Sequence, residues 1–259
     1  MDSIYGWEWF VKQFESISKI DLTAYKRPQM ERRINSFMKL VNGGDYNKFI
    51  ALIRDDIGIY NRFIEHLTIN VSEFFRNPSQ WEVLEKEIIP ALLKERSPLR
   101  VWSAGCSTGE EVYSLAMLLR ERFPGKADRI LASDIDNEVM EKAAIGLYAI
   151  KAVQSLPENY KSRYFAKDGE NYRLVDEIKK MVTFQKHDLL KSTFPQEFDL
   201  ILCRNVVIYF TEESKQNLYR KFAGSLRSRG VLFIGSTEQI FQAQELGFKS
   251  IATFFYQKT

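Results

Sequence analysis

The segment Ser103-Ala104-Gly105-Cys106-Ser107-Thr108-Gly109-Glu110-Glu111 follows an apolar run, Leu99–Ser103, and leads into a helical pattern through Val112, Leu115, Ala116 and Leu119. Glycines in a turn between strand and helix let a ligand approach the backbone closely at the carboxyl end of a sheet. The GxGxxG spacing of dinucleotide sites is absent, and Glu110-Glu111 stand where the helix begins. Two carboxylates there would repel a pyrophosphate drawn to that helix N-terminus. They suit a ligand that is positively charged near the loop, such as the ammonium and sulfonium of S-adenosylmethionine. Further on, Asp134 ends the next apolar run with Asp136 close behind, placed to accept hydrogen bonds from a ribose diol. His187-Asp188-Leu189 follows a third run and suits an adenine edge and face. Taken singly these signals are weak, because an acidic residue at a strand end is more often a helix cap or turn former.

A competing pattern overlaps the first. Gly105-x-Ser107-x-Gly109 fits a nucleophile elbow, and Ser107, Asp134 and His187 follow the hydrolase chain order. That fold places several strands before its elbow, whereas about a hundred mostly helical residues precede this one, and at least two more strands follow His187. Other classes fall to composition. Cys106 and Cys203 are far apart and form no CxxC pair, which excludes a disulfide framework and a cysteine zinc site. With His66 and His187 the only histidines, no metal site is expected. The acidic start MDSIYGWEWF is no secretory leader, and no apolar run approaches the ~18 residues of a membrane span. A soluble, unprocessed protein in a reducing cytosol is the expectation. A net charge of +3 makes no case for nucleic-acid binding.

The elements that must position these residues differ along the chain. From Trp7 to about Ile89 the pattern is helical, broken at Gly43-Gly44 and Asn77-Pro78. One helix carries a stripe of Met30, Ile34, Phe37 and Val41, with Arg32 and Lys39 opposite. Around it Lys19, Lys26, Arg27, Arg32, Arg33 and Lys39 outweigh Asp21 and Glu31; this is a solvated face or a dock for an acidic partner. After Pro98, short runs rich in Val, Ile, Leu and Phe alternate with helical stretches: Leu99–Ser103, Ile130–Ser133, Met181–Gln185, Phe198–Cys203 and Val231–Gly235. They predict the parallel sheet of an α/β domain, closed by Phe248–Ile251 and Thr253–Tyr256. Arg163–Ala166 and Tyr172–Val175 flank Asp168-Gly169 and predict a hairpin.

Four stretches in order, Asn70-Val71-Ser72-Glu73-Phe74-Phe75-Arg76, Ser103–Glu111, Ala132–Asp136 and Cys203-Arg204-Asn205-Val206-Val207-Ile208-Tyr209-Phe210, make the sequence similar to CheR-type chemotaxis receptor methyltransferases over nearly its whole length. The resemblance implies a Rossmann-like S-adenosylmethionine-dependent methyltransferase sheet with a small antiparallel β insertion at about 160–180. An all-helical N-terminal domain would precede it, with domains at 1–88 and 89–259. It implies a protein-glutamate O-methyltransferase that esterifies glutamates on the cytoplasmic helices of chemoreceptors for sensory adaptation and leaves S-adenosylhomocysteine. By the same resemblance Asn70, Ser72 and Arg76 close over the cofactor, and Glu110, beside Gly105, faces its methionine part. Asp134 faces the ribose, Asp188 with Leu189 the adenine, and Asn205 with Val206 the far side. Arg76 and Tyr209 lie nearest the methyl transfer.

The sequence departs from enteric members at Val71-Ser72, where they carry two threonines, at Gly105-Cys106 for alanines, and at Asp188 for Asn. Asp188 can accept a hydrogen bond from the adenine amine but cannot donate one. Given an acidic receptor helix, Arg32, Arg33 and Lys39 are the expected receptor contacts, and the β insertion is a second candidate. Neither nucleic acid nor membrane insertion is implied, and a monomer is expected. A nucleic-acid or small-molecule methyltransferase would share the loop, but the Asn/Asp-Pro-Pro-aromatic tetrapeptide common in amino-group methylation is missing. A non-catalytic module that keeps the cofactor as a signal is the remaining alternative.

Overall fold

The computed structural model describes residues 6–41, 43–68, 70–127 and 129–259. The chain divides into two compact units, the first comprising residues 1–70 with 209–215, the second 71–208 with 216–259.

The first unit holds helices α1 (Trp7–Ser18), α2 (Arg27–Leu40), α3 (Tyr46–Asp55) and α4 (Ile57–Leu67). Local chemistry sets their starts. Asp45 accepts from Lys48 N and Asp56 from Ile59 N, each satisfying an orphan amide of a first turn, and Pro28 opens α2. Phe10, Phe14, Phe37, Phe49 and Phe63 fill the middle, with Phe49 and Phe63 edge to face at 4.9 Å. The stripe of α2 buries Met30, Ile34, Phe37 and Met38. Val41 caps the helix instead of lying within it, half-buried. Residues 209–215 are far away in sequence but belong to this unit: Lys26 N donates to the Tyr209 carbonyl, Thr211 N to that of Ala24, and the Tyr25 and Phe210 rings meet edge-on at 4.9 Å.

The second unit opens with a helical run from α5 (Pro78–Val83) through a wider turn at Leu84–Ile88 to α6 (Ile89–Glu95). Its Trp81, Leu84, Ile88, Ile89 and Leu92 join the hydrophobic core of this unit, so the division expected at 88/89 falls inside one packed helical run. The order then runs β1 (Val101–Ala104), α7 (Glu110–Arg122), β2 (Ile130–Asp134), α8 (Asn137–Ile145), β3 (Leu147–Ala149), α9 (Ile150–Val153), α10 (Glu158–Tyr164), β4 (Phe165–Asp168), β5 (Asn171–Leu174), α11 (Asp176–Lys179) and β6 (Val182–Lys186). After these come β7 (Phe198–Cys203), α12 (Glu212–Ser225), β8 (Leu226–Ile234), β9 (Phe248–Ala252) and β10 (Phe255–Lys258).

Seven strands form one sheet in the order β6-β2-β1-β7-β8-β10-β9, the first five mutually parallel and β10 running antiparallel to both its neighbours, β8 and β9. All of β1 and β7 is buried, as a central strand covered on both faces requires. The chain leaves β1 toward β2 and β6, then returns to the other side of β1 with β7. Such a reversal opens a crevice at the carboxyl ends of the two strands. The expected hairpin is present as β4 and β5, and β3 pairs with β5 to complete a three-stranded antiparallel sheet. The insertion therefore begins at Leu147, earlier than expected.

Candidate active site

At the β1/β7 crevice the loop 105–109 is built by positive φ angles at Gly105 (+84), Ser107 (+49) and Gly109 (+93). A Cβ on Gly105 would come within 2.5 Å of Val206 Cγ2, and one on Gly109 within 2.9 Å of Ala143 and 3.1 Å of the Tyr148 hydroxyl. Asp134 holds the loop from the neighbouring strand: Oδ2 accepts from Ser107 N at 2.9 Å and Oδ1 from Asp136 N at 3.1 Å. Its own carbonyl accepts from His187 N at 2.8 Å, which ties the ends of β2 and β6 together. Burial holds the Asp134 carboxyl above the usual carboxylate range, against the lowering effect of those amides. A carboxylate has about four acceptor positions, so Asp134 keeps capacity for a diol.

Glu110 is buried, and its Oε2 accepts from Thr108 Oγ1 at 2.6 Å. Glu111 accepts from Ser103 Oγ and pairs with Arg204 at 3.3 Å. Burial raises the Glu111 carboxyl, with Arg204 and the more distant Arg76 opposing it. After β7, Asn205 takes φ +59 and the chain is clamped by a carboxylate the sequence reading did not single out. Glu238, buried, accepts from Gly235 N at 2.6 Å, Asn205 N at 3.1 Å and Val207 N at 3.1 Å. Its only sequence signal is an acid just after the apolar run that ends in Gly235. Asp188 Oδ1 accepts from Leu190 N at 2.8 Å, a turn-forming bond of the kind common for an acid after a strand, while Leu189 is buried.

Gly105, Asp188, Leu189, Asn205 and Val206 lie on the loops after β1, β6 and β7, Asp134 ends β2 and Glu110 opens α7, all at the carboxyl end of the sheet. Ser72 and Arg76 precede α5 in the same unit. The Arg76 carbonyl accepts from Trp81 Nε1 at 3.0 Å and Arg204 Nη2 at 2.9 Å, while its guanidinium makes no hydrogen bond or ion pair among the described residues. Asn70 and Tyr209 belong to the first unit, where Asn70 Nδ2 donates to Thr68 Oγ1 at 2.9 Å. On α2, Arg32 and Lys39 are exposed. Arg33 is half-buried, its Nη2 donating to the His66 carbonyl, and burial lowers its pKa.

The hydrolase alternative fails on geometry. Ser107 Oγ and His187 Nε2 are both buried without a hydrogen-bond partner among the described residues, and the His187 ring packs between Trp102 (5.3 Å) and Phe194 (5.1 Å). A nucleophile and its base must share a hydrogen bond. No group of three or more His, Cys, Asp and Glu among the described residues is arranged to hold a metal ion. The cysteines are buried with their thiols pushed up, which makes them poor nucleophiles.

A glycine cradle at the switch point, a buried carboxylate at the start of α7 and an acceptor at the end of β2 fit a ribonucleoside joined to a cationic amino acid. Together with the sheet order they define an S-adenosylmethionine-dependent methyltransferase. Residues 70–255 match the CheR methyltransferase, SAM binding domain, and residues 6–68 the CheR methyltransferase, all-alpha domain; the chain belongs to the CheR methyltransferase family. It is 44% identical over 241 residues to a chemotaxis protein methyltransferase of Listeria innocua, covering 93% of this chain and 92% of that one. A protein of the same name from Listeria monocytogenes is 43% identical over the same length. A third, from Borreliella burgdorferi, is 34% identical over 250 residues, 91% of this chain and 88% of that one. S-adenosylmethionine is the cofactor, and no helix among the described residues is long and apolar enough to cross a membrane.

Proposed function

We propose that the protein methylates glutamate side chains on the cytoplasmic helices of chemoreceptors, serving adaptation in chemotaxis. The relatives named as chemotaxis protein methyltransferases support the pathway. The observation that carries the acceptor is the Arg76 guanidinium, which makes no hydrogen bond or ion pair among the described residues although its backbone carbonyl is held by Trp81 and Arg204. An unpaired guanidinium is a bidentate seat for a carboxylate.

When bound, S-adenosylmethionine supplies an electrophilic methyl group. A glutamate acceptor is already ionised near neutral pH and needs no general base, so the work of the chain is to orient it and to exclude water. In this reading Arg76 aligns the carboxylate, Glu110 and Asp134 hold the cationic and ribose parts of the cofactor, and Asp188 with Leu189 and Asn205 with Val206 bound the adenine end and far side. Ser72 and Asn70 close over it, and Tyr209 fixes the approach to the methyl group. Arg32 and Lys39 contact the acidic receptor. The protein works in the cytoplasm, as a monomer.

The roles are tested by turnover at saturating receptor. Arg76→Ala and Tyr209→Phe should each lower it by about tenfold or more, as loss of an orienting contact does, with calorimetric affinity for S-adenosylhomocysteine within a few-fold for Tyr209→Phe. Full turnover in both variants refutes the assignment.

A further inference from the structure

Arg76 stands on a turn that the local chain would not hold unaided. Its neighbours Phe75 and Asn77 have φ of +48 and +60, a region that strains an L residue. Such strain persists only where the surroundings over-determine it. Phe75 N donates to Ser114 Oγ at 2.8 Å and Trp81 Nε1 to the Arg76 carbonyl at 3.0 Å. Gln80 N donates to the Asn77 carbonyl at 3.0 Å, and the Phe75 ring packs on Trp81 and Tyr160. One buried side chain adds three further bonds. Arg204 Nη2 reaches the Arg76 carbonyl (2.9 Å), Asn77 Oδ1 (3.2 Å) and Gln80 Oε1 (2.9 Å).

Arg204 is itself immobilised. Its side chain is 2% exposed, its Nη1 pairs with Glu111 at 3.3 Å, and its guanidinium lies over the Phe233 ring at 4.6 Å. Nε is buried without a hydrogen-bond partner among the described residues, so the hydrogen bonds of the group run through its two Nη ends. One end grips the start of α7 beside the cofactor loop and the other grips the 76–80 turn.

We infer that Arg204 is a positioning residue for methyl transfer: its fork fixes the backbone on which Arg76 is presented, in register with the loop that opens α7. A point cation at 204 could neutralise Glu111 or sit on the turn; holding Glu111 through Nη1 and the 76–80 turn through Nη2 at the same time asks for the planar fork. Arg204 has this role only if Arg76 orients the acceptor carboxylate, as proposed above.

A double-mutant cycle separates the two. Arg204→Lys keeps the charge opposite Glu111 and removes the fork. It is expected to lower turnover on receptor-containing membranes by about tenfold or more while leaving calorimetric affinity for S-adenosylhomocysteine within a few-fold. In an Arg76→Ala background it should then cost nothing further. Asn77→Gly serves as the second variant should Arg204→Lys fail to fold. It relieves the positive φ and removes one acceptor, so it should lower turnover without lowering the urea midpoint, again with no added effect on Arg76→Ala. Full turnover in the variant used, or losses that multiply with that of Arg76→Ala, overturns the inference while the proposed function stands. Full turnover in Arg76→Ala alone overturns the role of Arg76 and that of Arg204 with it.

Discussion

Replacing Gly109 by alanine should damage the cofactor loop by a calculable amount. Gly109 caps α7 at φ +93, and an added Cβ would meet Ala143 Cβ at 2.9 Å, Tyr113 Cε2 at 3.0 Å and the Tyr148 hydroxyl at 3.1 Å. Positive φ costs an L residue about 1–2 kcal/mol, and forcing a methyl into a packed site costs about 1–3 kcal/mol more. The expected loss is therefore about 2–5 kcal/mol, a large fraction of an ordinary domain's stability. Tyr113 and Tyr148 cannot easily give way, since their hydroxyls donate to the Ala143 and Thr108 carbonyls at 2.8 Å. Gly125→Ala is the control: its φ is +70, but no atom lies within 4 Å of the added Cβ, so only the backbone cost of about 1–2 kcal/mol applies. Urea unfolding of both variants isolates the packing share, and calorimetric titration with S-adenosylhomocysteine should show at least about a tenfold weaker affinity for Gly109→Ala alone. Equal stability losses in the two variants, or unchanged affinity in Gly109→Ala, would refute this account of the loop.

Glu238→Gln replaces two acceptor oxygens by one and turns an amide donor toward backbone N–H groups. Since charge-assisted bonds contribute about 1.5–3 kcal/mol each, urea unfolding should show a loss of about 2–4 kcal/mol, with weaker binding of S-adenosylhomocysteine. Arg32→Glu with Lys39→Glu should raise the Michaelis constant for receptor and leave cofactor affinity and stability unchanged in the same preparation. Arg33→Glu should in addition destabilise the first unit by about 1–3 kcal/mol, because the side chain is half-buried and bonded to the His66 carbonyl. His187 has its pKa lowered by burial, with Lys221 adding to the effect and Asp188 opposing it. The unfolded chain therefore takes up the proton first as pH falls, so stability is full above the ordinary value near 6.5 and declines below it. Urea midpoints across that range should flatten in part in His187→Phe, with His66, also lowered by burial, contributing in the same direction to what remains.

The sheet and its loop were legible because their signals are local. Phe198–Cys203 reads as a buried strand from its own side chains, and the Gly105–Glu111 loop signals its ligand's charge by Glu110 at the start of α7, whereas the pairing of Glu111 with Arg204 was not legible. β8 was only half legible: its first residues, Leu226–Gly230, are polar in pattern, yet they extend the strand, with an irregularity opposite Phe198/Leu200. β3 spans Leu147–Ala149 and is too short to stand out from the preceding helix. What pattern could not reach is long-range. The return of residues 209–215 to the first unit depends on backbone bonds to residues nearly two hundred positions away. Glu238 and Arg204 gain their roles only once folding sets them against amides and carbonyls on distant loops.

The acceptor chemistry is the central claim, and locating the methyl group tests it most directly. Receptor-containing membranes incubated with the protein and methyl-labelled S-adenosylmethionine should carry the label on glutamate side chains in tandem mass spectra of receptor peptides, and mild base should release it as methanol. Label on nitrogen or sulfur side chains or on nucleic acid, or label on receptor that resists base, would contradict the account.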